Sequence, residues 1–228
     1  MGPNSRKILQ SISPEDFSND THPFGFSREI EIGYGLARAH RISYVGELGW
    51  ELYVSSDMAC HVFEEIEKAG KSHELKLCGL HTLDSCRIEK GFRHFGHDIT
   101  DEDHILEAGL GFTVNLSKGD FIGKEAFLEK KDLGLDRRLL QFKLLDPDEM
   151  LFHNEPILRN GEVVSYLTSG NYGHYVGGAI GLGYVPCKGE KIGDIIESKY
   201  EIDIAGKTVE AIASVEPMYD PKAKRVKA

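Results

Sequence analysis

No apolar run in the 228-residue sequence reaches the 18 or more residues of a membrane-spanning helix, and the opening MGPNSRKILQ lacks the unbroken apolar stretch of a secretory signal. These two absences exclude a helical membrane protein and give the expectation of a soluble, cytoplasmic chain. Cysteine is scarce. Cys60, Cys78, Cys86 and Cys187 lie far apart with no CxxC spacing, which argues against structural zinc and gives the expectation of four buried thiols in a reducing compartment. Positive charge is also short, with 27 Lys and Arg against 37 Asp and Glu and a formal net charge of -10. That balance opposes a nonspecific grip on nucleic acid or on an anionic membrane. Gly109 and Gly111 lack the further glycine and the strand-to-helix setting of a dinucleotide fingerprint. Cys86 has no adjacent histidine, and His94, His97 and His104 do not complete a zinc motif. No metal is therefore expected.

What is present supports ordinary folded cores: 40% of residues are hydrophobic and 9% aromatic, enough for two domains of about 100 residues each. The opening thirty residues offer little apolar surface of their own and read as a stretch that packs either on the body of this chain or on a missing neighbour. Residues 30–32 and 36–42 read as two arms of a hairpin around Gly33-Tyr34-Gly35. Residues 42–45 read as a further strand that enters the turn Gly46-Glu47-Leu48-Gly49. Beyond that turn Trp50, Leu52 and Val54 alternate with polar positions at the period of a half-buried strand. Ala59, Val62, Phe63, Ile66 and Ala69 then recur at helical spacing up to Gly70, and a second helix is expected over 81–89. Residues 124–131 read as a short helix. From Arg138 onward short apolar runs, residues 190–197 among them, are interrupted by glycine or proline, and 201–204 with 209–212 flank a hairpin turn at Ala205-Gly206-Lys207. The expected fold class is α+β, with an α+β region over 1–135 followed by a small β-barrel over 136–228.

Three stretches carry candidate chemistry. Glu47 stands between two glycines, where a missing Cβ lets a planar, donor-rich ligand approach a carboxylate. Gly91 to Asp98 places Arg93, His94, His97 and Asp98 in close succession, either as a polar site or as a decorated loop, and Asp101-Glu102-Asp103 reads as a solvated turn. Thr168 to His174 reads as a turn between two strands, with a functional loop as the alternative.

The blocks ISYVGELGWELYV, LDSCRIEKGFRHFGHDI and EAGLGFTVNLSKGDFIGKEA, together with YLTSG, AIGLGYV, GPNSRKILQ and VEPMYDPKAKR, resemble the glycine-cleavage T-protein (aminomethyltransferase) family. The likeness is to the carboxyl-terminal two thirds of that family, and especially to the folate-binding half of dimethylglycine and sarcosine dehydrogenases. It implies a partial T-protein fold that binds tetrahydrofolate at the centre of a cloverleaf-like arrangement. It implies that Glu47 accepts from the pterin ring, that Arg87 anchors or orients the folate, and that Tyr44 and Trp50 wall the site. The family segment carrying a catalytic aspartate is expected to be lacking, so no residue is assigned a catalytic role, and no flavin-binding domain is expected. The implied partners are a reduced folate and an N-terminal fold fragment, a flavin-dependent dehydrogenase subunit or a second copy. A regulatory module that keeps the scaffold without turnover is the alternative.

Overall fold

Strand β1 (Ser27–Ile32) turns back on β2 (Gly35–His40) with Ile32 opposite Gly35, and β3 (Glu51–Val54) adds to the far side of β2 to give an antiparallel sheet in the order β1-β2-β3. In this computed structural model, which describes residues 1–228, the sheet belongs to a unit formed by residues 1–86 and 220–228. Alternating burial along β1 and β2 orients it. Ile30, Ile32, Ala37 and Ala39 are buried on one face, where they meet Leu9 of helix α1 (Ser5–Ile12) and Val62 of α2 (Ala59–Gly70). Of the two alternatives for the opening thirty residues, the body of this chain is the one observed: Leu9, Phe17 and Ile30 all lie inside this core. Residues 42–45 differ from the expected strand. Arg41 still pairs with Phe26, but the amide of Ile42 folds back onto the carbonyl of His40 at 2.9 Å, and that local turn ends the ladder.

Residues 87–219 form the second unit. Six antiparallel strands, β4 (Arg137–Leu144), β5 (Pro156–Arg159), β6 (Glu162–Gly173), β7 (Gly178–Pro186), β8 (Tyr200–Ile204) and β9 (Lys207–Ser214), close in the order β4-β7-β6-β5-β8-β9. Closure removes the sheet edges that an open β-layer would expose. The interior is filled by Leu140, Phe142, Ile157, Leu167, Val185, Tyr200 and Ile202. Helix α4 (Lys124–Leu133) precedes the barrel, as the sequence predicts. The run 190–197 differs from its strand-rich surroundings: it holds the short helix α5 (Ile192–Ile196), which buries Ile195.

The units are cut differently from a division between residues 135 and 136. Residues 220–228 group with the first unit because the buried guanidinium of Arg41 donates to the carbonyls of Val226 and Ala228, at 3.3 and 2.7 Å. The thiols also depart from expectation. Cys187 is buried, Cys86 is half-buried, and Cys60 and Cys78 are exposed. No helix is long and apolar enough to cross a membrane.

Candidate functional site

Glu47 sits on an irregular segment between β2 and β3, where Gly46 takes φ +78°, a conformation that an L side chain rarely adopts. The next residue is pinned from below: Leu48 O accepts from Gly2 N at 2.7 Å and from Ser5 Oγ at 3.3 Å. The carboxylate therefore projects from a fixed backbone. Its Oε1 lies 3.5 Å from Nη1 of Arg225, and the Glu47 side chain keeps 19% of its surface exposed.

Trp50, three residues on, is placed differently. Its indole is buried, meeting the ring of Phe17 edge-on at 5.5 Å and that of His22 at 5.8 Å, with the Arg41 guanidinium 4.7 Å from its centroid. Burial and the neighbouring Arg6 lower the pKa of Arg41, and burial followed by Arg28 lowers that of His22. Trp50 also joins Leu52, Phe63 and Ile66 in the wall of a cavity of about 680 Å³. Tyr44 is half-buried on the same irregular segment.

Arg87, at the end of helix α3 (Leu80–Glu89), belongs to the second unit, whereas Glu47, Tyr44 and Trp50 belong to the first. It is almost wholly buried and forms an ion pair with the equally buried Asp98 through Nη1. Arg87 Nη2 donates to Ser169 Oγ at 2.7 Å. The Asp98 carboxylate also accepts from Thr168 Oγ1 at 2.6 Å and from His94 N at 2.9 Å, while its backbone carbonyl accepts from Tyr184 Oη at 3.0 Å. Burial, then the Asp103 carboxylate, raises the pKa of that phenol, keeping it a donor. A guanidinium paired with a carboxylate and given neutral acceptors is the arrangement that a buried charge requires.

This cluster joins three stretches that the sequence presents separately. The residues around Asp98 are part of a polar site, although His94 and His97 themselves are exposed, with their rings 4.5 Å apart. Thr168 to Gly173 lies within β6 rather than in a loop, which is how Thr168 and Ser169 reach Asp98 and Arg87. Asp103 is not merely solvated: it pairs with Arg137 at 2.6 Å, and Arg137 also reaches Glu107 at 3.1 Å. Tyr184 and Arg225 were not expected at a site, and nothing in the sequence marks either.

Residues 1–118 match the family model described as GCVT N-terminal domain, and residues 137–220 match that described as glycine cleavage T-protein C-terminal barrel domain. The chain is 43% identical over 228 residues to the 4-methylaminobutanoate oxidase (formaldehyde-forming) of Paenarthrobacter nicotinovorans, covering 100% of this chain and 27% of the oxidase. It is 39% identical over 230 residues to the mitochondrial sarcosine dehydrogenase of Homo sapiens, covering 99% of this chain and 25% of that enzyme. The aminomethyltransferase T structure from Bartonella henselae superposes with a TM-score of 0.80 at 23% identity, over 97% of this chain and 58% of that one. The chain thus spans about a quarter of these two curated relatives. The match over residues 1–118 corrects two expectations: that the likeness is confined to the carboxyl-terminal part of the family, and that the N-terminal catalytic region is lacking. The physical reason lies in the core. Residues 1–86 contribute two helices and a sheet with a common interior, not the trailing edge of another domain.

Proposed function

Because the chain belongs to the glycine-cleavage T-protein family, we propose that it binds tetrahydrofolate and serves one-carbon transfer from a methylated amine or glycine derivative. The observation that carries this reading is the Glu47 carboxylate, partly exposed on a segment pinned through Leu48 and turned at the positive-φ Gly46. An ionised carboxylate only accepts hydrogen bonds, so it suits adjacent ring N–H donors, and charge assistance strengthens each bond. The residues present fit such a ring. Tyr44, half-buried on the same segment, supplies an aromatic flank, and Trp50 backs the segment from the core.

Arg87 acts as an orienter in this reading, since its guanidinium is committed to Asp98 and Ser169. When bound, a reduced folate supplies the nucleophilic nitrogen that accepts the one-carbon unit. This chain's own residues hold the ring at a fixed edge, and fixing one reactant removes part of the entropy barrier to transfer. We take residues 1–135 as the folate-binding region and 136–228 as the barrel domain. The one-carbon donor arrives from a flavin-dependent dehydrogenase, a partner suggested by relatives that include a sarcosine dehydrogenase about four times as long as the matched region.

Calorimetric titration of the chain with tetrahydrofolate, and separately with sarcosine and dimethylglycine, tests this reading. Saturable folate binding is expected, and Glu47→Gln should weaken it at least about ten-fold, the worth of a charge-assisted hydrogen bond. Binding of an amine with no folate binding contradicts the proposal.

A further inference from the structure

We propose that Arg225 is a second ligand-recognition residue, which together with Glu47 reads the amide edge of a fused-ring heterocycle, where ring N–H donors stand beside a carbonyl oxygen. The proposal rests on the reading of Glu47 as the folate acceptor. The guanidinium Nη1 lies 3.5 Å from Glu47 Oε1, with 46% of the Arg225 side chain exposed against 19% for Glu47. A carboxylate accepts only and a guanidinium donates only. A ligand edge that offers N–H groups to one and a carbonyl to the other satisfies both, whereas an ammonium ion offers donors to the carboxylate but repels the guanidinium. The pair therefore discriminates by a repulsive element as well as an attractive one.

The backbone on both sides of Arg225 is fixed, which separates it from an ordinary surface arginine. The Asp220 carboxylate accepts from Lys224 N and Arg225 N, each at 3.0 Å. Val226, the next residue, is buried, and its carbonyl accepts from Arg41 Nη2 at 3.3 Å. Asn19 Nδ2 donates to Lys227 O at 3.4 Å, and Arg6 Nη2 to Ala228 O at 2.8 Å. Such anchoring lowers the ordering cost of binding, because the residue is already placed. The ion pair itself is no obstacle. Partly exposed pairs contribute little and open readily for a ligand with better partners.

The test is a calorimetric comparison of tetrahydrofolate with the analogue whose ring carbonyl is replaced by an amino group, using wild type, Arg225→Gln, Arg225→Lys and Glu47→Gln. Arg225→Gln should weaken tetrahydrofolate about ten-fold and leave the analogue within about two-fold, because only the carbonyl ligand uses the guanidinium. Arg225→Lys, which keeps the charge and loses the fork, should fall between. Unchanged tetrahydrofolate binding by Arg225→Gln, or an equal loss on both ligands, overturns the assignment. If wild type binds and Glu47→Gln weakens binding while Arg225→Gln does not, only the Arg225 inference fails. If wild type does not bind tetrahydrofolate, both readings fail.

Discussion

Arg87 Nη2 donates to Ser169 Oγ at 2.7 Å, tying the last turn of α3 to the middle of β6. The tie closes a circuit, because the neighbouring Thr168 donates to Asp98, the carboxylate that neutralises Arg87. One residue of β6 therefore serves the cation and the residue before it serves the anion. Buried polar groups linked in this way fix a single arrangement, since a shift of either strand or helix leaves a charge unpaired.

Asp98→Ala should destabilise the protein by about 3–5 kcal/mol, the cost of stranding a buried guanidinium. Asp98→Asn keeps a hydrogen-bonding group of the same size and should cost less. Urea unfolding of the three proteins checks the order, and equal stability of wild type and Asp98→Ala would show that the pair carries no weight in the fold.

Thr168→Val preserves shape and deletes the hydroxyl that lies 2.6 Å from Asp98 Oδ1 and 3.1 Å from Leu182 O. The loss should be about 1–3 kcal/mol, set by leaving a buried carboxylate oxygen short of a donor. Combined with Asp98→Asn, the two effects should be less than additive, which a double-mutant cycle in urea measures.

Gly170 lies where β6 passes close to the chain at Leu151 and Phe152. A Cβ there would stand 2.8 Å from Leu151 Cβ and from the backbone N and O of Phe152. Backbone atoms cannot swing aside as a flexible side chain can, so Gly170→Ala should cost about 1–3 kcal/mol through overpacking. A lowered melting temperature of the variant checks this, and an unchanged one contradicts the close approach.

Stability should fall as the solution is acidified. Burial, then the charges of Arg28 and Arg41, hold the pKa of the buried His22 below the ordinary imidazole value. With a depressed folded pKa, the unfolded chain takes up the proton first, so the contribution of His22 is complete above about pH 6.5 and is lost as pH falls toward the folded value. Urea midpoints measured from about pH 7.5 to about pH 5 should decline, and His22→Gln should flatten the decline. A variant profile as steep as that of wild type would assign the slope to other groups.

Periodicity made most elements legible. The turn at Gly33-Tyr34-Gly35 marked β1 and β2, alternation marked β3, helical spacing marked α2, and the turn at Ala205-Gly206-Lys207 marked the β8–β9 hairpin, where both Ala205 and Gly206 take positive φ. Local pattern failed where distant contacts decided. Residues 42–45 have strand composition but follow a buried Arg41 whose acceptors lie at Val226 and Ala228. Glu47 could be singled out because glycines frame it in sequence, whereas Arg225 could not, since its relation to Glu47 exists only after residues 220–228 have docked. Trp50 has the alternating setting of a wall residue, yet its surroundings are Phe17, His22 and Arg41, which no spacing connects.

The contacts of Arg41 also set an order of assembly during synthesis. Its acceptors at Val226 and Ala228 lie 185 and 187 residues further along the chain, while every strand of the barrel falls in between. At a ribosomal rate of about 5–20 residues per second, the guanidinium waits roughly 10–40 s for these two partners. The barrel has all its strands once residue 214 has emerged, so the later-encoded unit is the first to have its whole sequence available. A nascent chain stopped between residues 214 and 226 would carry every barrel strand but not the acceptors that Arg41 requires, and the earlier-encoded unit would be the one presented to chaperones and proteases.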